Sequence, residues 1–93
     1  MLITYDPAKR TETLKHRNLD FEDAPKLFAG PYFQIEDDRR DYGEIRWMRV
    51  AFLGGDMIVM IWTLRDGARR IISMRKCNAK EREKYRARLD RSG

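Results

Sequence analysis

The chain has 93 residues, 38% charged and 42% apolar, and its 20 Lys and Arg against 15 Asp and Glu give a net charge of +5. This size and composition predict a single small domain over residues 1–93, and they exclude disordered and collagen-like chains. Because no apolar run reaches the ~20 residues of a membrane span and the first ten residues lack a secretory signal, we expect a cytoplasmic protein that does not contact membranes.

The chain carries few residues that hold metals or form disulfides. Cys77 is the only cysteine and His16 the only histidine. A lone cysteine cannot form an internal disulfide, and one Cys with one His falls short of a zinc site. We therefore expect no metal site and no cofactor, which leaves metal-free chemistry or binding.

The positive charge is concentrated at the C-terminal end. Residues 65–93 hold 11 Lys and Arg against 4 Asp and Glu, a net +7, whereas residues 1–64 hold 9 against 11, a net −2. Such asymmetry favours a polyanionic partner such as nucleic acid, because Lys and Arg release counterions when they meet phosphates. A solvated helix face would show the same charge.

The N-terminal half predicts a short strand and a first helix. The run from Leu2 to Tyr5 is β-prone, and Asp6 before Pro7 is a typical helix start. The helix is expected over residues 7–17. Asn18 ends it, because asparagine tolerates the left-handed conformation.

A second helix is predicted between Asp20 and Phe28, with either Asp20 or Asp23 as its N-cap. Gly30 and Pro31 end this pattern. A weak strand follows over residues 32–35, and the charged segment 36–43 is expected to be a loop.

The C-terminal half predicts an antiparallel meander followed by a helix. Strands are expected over residues 45–53, 57–64 and 69–76, separated by glycine-containing turns, and the nearly continuous apolar run 57–64 should be central. Asn78, with Glu81 three residues later, predicts a capping box for a last helix that is anchored by Tyr85 and Leu89. The expected fold class is α+β, with two N-terminal helices packed on an antiparallel sheet and a C-terminal helix.

The last strand carries the first candidate site. Strict alternation places Arg69, Ile71, Ser73 and Arg75 on one sheet face and Arg70, Ile72, Met74 and Lys76 on the other. The preceding strands add Arg46, Arg49 and Arg65. If the helices cover one face, the arginines of the other would form a basic floor suited to phosphates. Alternatively, these arginines neutralise the acidic segment 36–44 or bind an acidic protein.

Several short segments stand in a recognisable order: Tyr5 to Lys9, Lys15 to Asn18, Phe21 to Ala24 with Phe28, Arg70 to Arg75 and Lys80 to Tyr85. Together they resemble the BrnT family, the bacterial ribonuclease toxins of type II toxin–antitoxin systems, and the similarity extends over nearly the whole chain. The family usually reads Lys-His-Gly where this chain has His16, Arg17 and Asn18, and often has Asn at the position of Thr13. Any role of the family's histidine would pass to His16.

The resemblance implies a RelE-like fold, RNA cleavage without metal and neutralisation by a BrnA-like antitoxin. DNA would be contacted only through the antitoxin, and a heterotetramer is a possible assembly. Such a ribonuclease needs a base, an acid and cations that stabilise charge on phosphorus. We assign catalysis to Arg65, Arg75, Arg82 and His16, and substrate binding to Arg49, Arg69, Lys76 and Tyr85.

Two alternatives remain at this stage. One is a non-catalytic basic subunit that binds an acidic antitoxin or nucleic acid and acts in operon autoregulation. The other is a standalone nucleic-acid-binding domain.

Hairpin pairing also places Arg75 opposite roughly Val59, ~20 Å along the sheet from Arg65, so these two arginines would contact different nucleotides.

Overall fold

The computed structural model describes residues 2–92, which form an α+β fold with one five-stranded mixed sheet and three α-helices. Met1 and Gly93, the first and last residues of the predicted single domain, lie outside the described residues. The strands are β1 (Ile3–Thr4), β2 (Tyr32–Glu36), β3 (Arg46–Leu53), β4 (Asp56–Arg65) and β5 (Ala68–Lys76). The helices are α1 (Pro7–Arg17), α2 (Ala24–Ala29) and α3 (Ala79–Ser92).

The helix caps predicted for α1 and α3 are confirmed. The Asp6 side chain accepts a hydrogen bond from the Ala8 N–H at 2.9 Å, and Asn18 ends α1 with φ 55°. At the start of α3, the Glu81 carboxylate accepts from the Asn78 N–H at 3.0 Å while the Asn78 side chain accepts from the Glu81 N–H at 2.9 Å. These bonds satisfy N–H groups that have no partner within the helix.

Asp20 connects the first two helices. Its carboxylate caps a 3₁₀ turn over Phe21–Asp23 that leads into α2, and it accepts two hydrogen bonds from Arg10 of α1 at 2.8 and 3.1 Å. This pair matters because α1 has no buried residue. Polar contacts such as Arg10 with Asp20 therefore contribute to holding α1 in place.

The sheet has the order β1-β5-β4-β3-β2, so the apolar strand β4 is central, as predicted. The four longer strands pair antiparallel, but β1 runs parallel to β5. The prediction of an antiparallel sheet is therefore wrong at this edge. A two-residue strand carries too little pattern to specify its partner or its direction.

The two sheet faces are covered by different helices. On the first, here called the α2 face, the 3₁₀ turn and α2 pack on strand residues through Leu19, Phe21, Ala24, Leu27, Ala51, Ile58, Met60, Trp62, Ile71 and Met74. On the second, here called the α3 face, Tyr85 and Leu89 of α3 pack with Val50, Met57, Val59, Ile61 and Cys77. The predicted inward anchors of α3 are confirmed.

A β-bulge in β5 separates two halves of this strand. Ile61 lies opposite Ser73 and Trp62 lies opposite Ile71, so Ile72 is an extra residue without a partner on β4. Ile71 packs in the α2-face cluster, whereas Ile72 contacts the α3-face cluster. A bulge shifts the side chains that follow it relative to strict alternation.

The bulge overturns the predicted face assignment of the arginines in β5. Arg75 lies opposite Val59 on the α3 face, as the pairing argument predicts. Arg69, by contrast, lies opposite Leu64 and stacks over Phe28 on the α2 face. Arg69 and Arg75 therefore occupy opposite faces of the sheet, and the single basic floor predicted from alternation is wrong.

The central strand should dominate the stability of the fold. Met60 is fully buried, so Met60→Ala should lower the free energy of unfolding by about 2–5 kcal/mol through lost contacts and a cavity. Leu64 on the same strand is 56% exposed, and Leu64→Ala should change the free energy of unfolding by only about 0.5 kcal/mol or less. Urea unfolding of both variants measures the difference, and equal losses would contradict the assignment of β4 as the core strand.

Candidate nucleic-acid-binding cleft

The part of the α3 face nearest α1 forms an open cleft. Its floor contains Ile61, Ile72 and Ser73, and its wall is helix α1. The largest of the three cavities that define the cleft, about 470 Å³, lies between α1 and the bulge in β5. Two further cavities, of about 110 and 200 Å³, adjoin it and share lining residues with it.

Helix α1 lines the cleft with a polar stripe. Lys9, Glu12, Thr13 and His16 all face the largest cavity, and they stand at positions i, i+3, i+4 and i+7. This spacing places side chains on one helical face. In most small domains such a stripe is apolar and buried, whereas here it presents ionisable groups to a cavity.

The sheet adds a row of cations across three strands. Arg46 of β3, Thr63 of β4 and Arg70 of β5 are in register, so their side chains share the α3 face. Arg65 lines the same small cavity as Arg46 and Arg70. At the opposite end of the cleft, Arg75 lines the third cavity.

We call this whole surface the cationic cleft. Its basic residues come from one helix, one loop and three strands. They are Lys9, His16, Arg17, Arg39, Arg46, Arg65, Arg70 and Arg75.

At one end of the cleft, Glu44 holds two arginines. Arg65 donates two hydrogen bonds to the Glu44 carboxylate at 3.0 and 2.9 Å, and Arg46 donates one at 3.0 Å. These guanidinium groups lower the pKa of Glu44 to about 2. The alternative that the arginines neutralise the acidic segment thus applies to this pair.

At the other end, Glu81 holds Arg75. The guanidinium donates two hydrogen bonds to the carboxylate at 2.7 and 2.8 Å. Because Glu81 also accepts the capping bond from Asn78, the same carboxylate fixes both the start of α3 and the orientation of Arg75. The bond from Arg75 is the main reason that the pKa of Glu81 falls to about 2.

The middle of the cleft holds cations that form no ion pair with a carboxylate of the described residues. The side chains of Lys9 and Arg70 make no hydrogen bond or ion pair there, although Asp6 and Glu12 line the same cavities. Arg17 donates to the backbone carbonyl of Met74 at 2.7 Å, so its guanidinium also has no acidic partner. An anion that enters the cleft would meet these unpaired cations at this point.

Three of the four residues predicted to be catalytic line the cleft, and the fourth lies outside it. Arg65, Arg75 and His16 all line the cleft, with Arg65 and Arg75 at its two ends and His16 between them. Arg82 lies in the first turn of α3, where it donates to the Cys77 carbonyl at 2.9 Å and borders a separate cavity.

The residues predicted to bind substrate lie elsewhere. Arg49 is buried and donates to the Leu27 and Phe28 carbonyls at the end of α2 at 3.0 and 3.2 Å. Tyr85 is buried between α3, to which it belongs, and the sheet. Arg69 and Lys76 both lie on the α2 face, because the bulge between them shifts the alternation of β5 by one residue.

The sequence did not lead us to place Glu12, Arg17 and Ser73 in the site. The signal for α1 was present, because the i, i+3, i+4, i+7 stripe is visible in the sequence once the helix is assigned. The bulge that brings Ser73 onto this face has no comparable signal, since both Ile71 and Ile72 are apolar.

Two classes of feature were not found in the described part of the chain. No cluster of three or more His, Cys, Asp or Glu side chains there could hold a metal ion. None of the helices over residues 2–92 has the length and apolar character needed to cross a membrane.

Comparison with known proteins gives one result. A family model described as "Ribonuclease toxin, BrnT, of type II toxin-antitoxin system" matches residues 5–81. A search of curated proteins found no match to the chain. The matched range includes α1 and all of β2 to β5, and therefore every basic residue of the cationic cleft.

The Arg75–Glu81 pair predicts a pH-dependent stability. Because the pKa of Glu81 is lowered from 4.5 to about 2, its stabilising effect is complete above the ordinary value and is lost as the pH falls towards 2. Glu81→Gln should therefore be less stable than the natural protein at pH 7, and the difference should shrink between about pH 4.5 and 2. Urea unfolding at several pH values measures it.

Glu83, which is exposed on the same helix, offers the matched control. Glu83→Gln should leave the stability unchanged over the same pH range. If the effect of Glu81→Gln persists undiminished at pH 2, the carboxylate charge is not its source.

Proposed function

This chain belongs to the BrnT family of ribonuclease toxins of type II toxin–antitoxin systems, and we propose that it is a metal-independent endoribonuclease whose active site is the cationic cleft. Family membership makes RNA the substrate and an antitoxin the partner. The proposal concerns the location of the reaction and the residues that carry it.

The observation that carries the proposal is the meeting of His16 with unpaired cations. The only imidazole of the chain lines the same cavity as Lys9 and Arg17, and the adjoining cavity holds Arg70. A phosphodiester placed there would have positive charge on one side and a proton carrier on the other. No carboxylate needs to be displaced first from Lys9 or Arg70.

Cleavage by the 2′-OH divides into three tasks. A base removes the 2′-OH proton, cations stabilise the negative charge that develops on the phosphate oxygens, and an acid protonates the leaving 5′ oxygen. The bond from O2′ to phosphorus forms as the bond from phosphorus to O5′ breaks, which leaves a 2′,3′-cyclic phosphate and a 5′-OH.

The residues of the cleft can fill these tasks. The imidazole of His16 can accept or donate a proton, which suits it for one proton transfer, and Glu12 or Lys9 on the same stripe is placed for the other. Arginine stays charged and cannot exchange protons, so Arg17 and Arg70 serve to stabilise the phosphate.

The arginines at the two ends have a different role. Arg65 and Arg75 are separated by six residues along β4, or ~20 Å, so one phosphate cannot contact both. We assign them to flanking phosphates of a single strand, with Glu44 and Glu81 orienting their guanidinium groups. The substrate phosphates would compete with these carboxylates for the same N–H donors.

We further propose a RelE-like arrangement of helices on the sheet, a cytoplasmic location and a BrnA-like antitoxin that mediates DNA contact, with a heterotetramer as the assembly. A second candidate function is a non-catalytic subunit. The ion pairs of Arg65, Arg46 and Arg75 favour it, because arginines that are already neutralised bind RNA less strongly.

Variants of the cleft test the catalytic proposal. Arg70→Ala should slow cleavage of single-stranded RNA ~100-fold or more, about 2.7–4 kcal/mol of barrier, because it removes a cation assigned to the reacting phosphate. His16→Ala should slow cleavage by roughly 10²- to 10⁴-fold through loss of proton transfer. The assay is cleavage by purified protein in EDTA, with the RNA ends identified.

Control variants distinguish the cations of the cleft from other cations of the chain. Lys76→Ala, which removes a cation from the opposite sheet face, should leave the rate unchanged. Arg70→Lys should retain only part of the activity, because it keeps the charge without the planar fork. Cleavage that vanishes in EDTA, or that persists undiminished in Arg70→Ala, would contradict the proposal.

The antitoxin should associate in a salt-dependent manner. A surface with this excess of Lys and Arg attracts an acidic partner at long range, so the association rate should be high at low salt and fall as ions screen the encounter. Stopped-flow mixing at several salt concentrations measures it. A rate that does not change with salt would show that the net positive charge of the chain does not attract the antitoxin at long range.

A further inference from the structure

Arg69 is a cation on the face of the sheet that the cleft does not use. It lies in β5 between Ile3 of β1 and Leu64 of β4, and these three cross-strand neighbours share the α2 face. Its guanidinium carbon lies 4.0 Å from the centre of the Phe28 ring and 5.4 Å from that of Trp62. The aromatic rings thus fix the position of the charge.

The buried Nε of Arg69 has no hydrogen-bond partner among the described residues. Arg49, on the same face, donates instead to carbonyls of α2 and to the Gln34 side chain. A buried donor without a partner weakens the folded state until an acceptor reaches it, so the surroundings of Arg69 favour an anionic ligand.

The surface around Arg69 is apolar. A cavity of about 240 Å³ is lined by Arg69 together with Ile3, Pro25, Phe28 and Ala29. Leu2, whose carbonyl accepts from the Arg69 N–H, is 70% exposed, and Leu64 on the other side is 56% exposed. Within residues 2–92, Arg69 is thus the one charged residue that lines this cavity, and exposed large apolar side chains flank it.

We propose that this surface binds the antitoxin through one Asp or Glu side chain flanked by apolar residues. A carboxylate can accept from the guanidinium, and apolar neighbours on the same peptide can cover Leu2, Leu64 and the cavity. RNA fits less well, because a strand of phosphates needs a row of cations, and those lie on the opposite face. The proposal takes from the family only the existence of an antitoxin, and it does not depend on the catalytic assignment.

The test compares Arg69 with Lys76, a second cation of β5 that also lies on the α2 face. In the complex of the full chain with its antitoxin, Arg69→Met keeps the apolar stem on the rings and removes the charge. It should raise the dissociation constant tenfold or more. Lys76→Met, at the far end of β5 on the α2 face, should leave the constant within twofold of the natural protein.

A second measurement uses the natural chain and does not depend on the folding of a variant. The Nε–H signal of Arg69 in a nitrogen–proton NMR spectrum should shift when the antitoxin is added, and alanine scanning of the antitoxin's acidic residues should find one whose effect disappears in Arg69→Met. Binding of an uncleavable 2′-O-methyl RNA should be unaffected by Arg69→Met.

Three results would overturn the proposal. They are an unchanged affinity of Arg69→Met for the antitoxin, an equal loss in Lys76→Met, and a loss of RNA binding in place of antitoxin binding. RNA cleavage by Arg69→Met is measured in parallel. If neither it nor the natural protein cleaves RNA, the ribonuclease proposal fails while the antitoxin result still stands.

Discussion

The single extra residue at Ile72 determines which side chains of β5 lie on each face of the sheet. Before the bulge, Arg69 and Arg70 alternate in the ordinary way, and after it Ser73 and Arg75 join Arg70 on the α3 face. Without the bulge, Met74 would lose its place in the α2-face core. Because fully buried side chains specify strand register, core packing and the arrangement of the cleft are fixed together.

The paired and unpaired cations of the cleft occupy different parts of it. Its ends contain arginines that are held by Glu44 and Glu81, and its middle contains Lys9 and Arg70 without carboxylate partners. Ion pairs on a surface add little to stability, but they limit the conformations of long side chains. The carboxylates therefore serve best as orienting groups, and the unpaired cations in the middle define where an incoming anion is attracted most strongly.

Much of the fold could be predicted from the sequence, because its signals are local. The cap at Asp6, the left-handed Asn18, the capping box of Asn78 with Glu81 and the apolar strand β4 each depend on neighbouring residues, and all are confirmed. The site was predicted less well. Arg65, Arg75 and His16 do line the cleft, but the bulge and the parallel pairing of β1 depend on contacts between distant segments, which local patterns do not encode.

Helix α1 carries cleft residues on a segment that buries none of its side chains. Substitutions at exposed positions usually change stability by only about 0.5 kcal/mol or less, so residues along this helix can be exchanged without endangering the fold. Evolution can therefore adjust the reactive groups of the cleft almost independently of the core. A histidine that stands at His16, with Arg17 after it, is the kind of local rearrangement that such a tolerant scaffold permits.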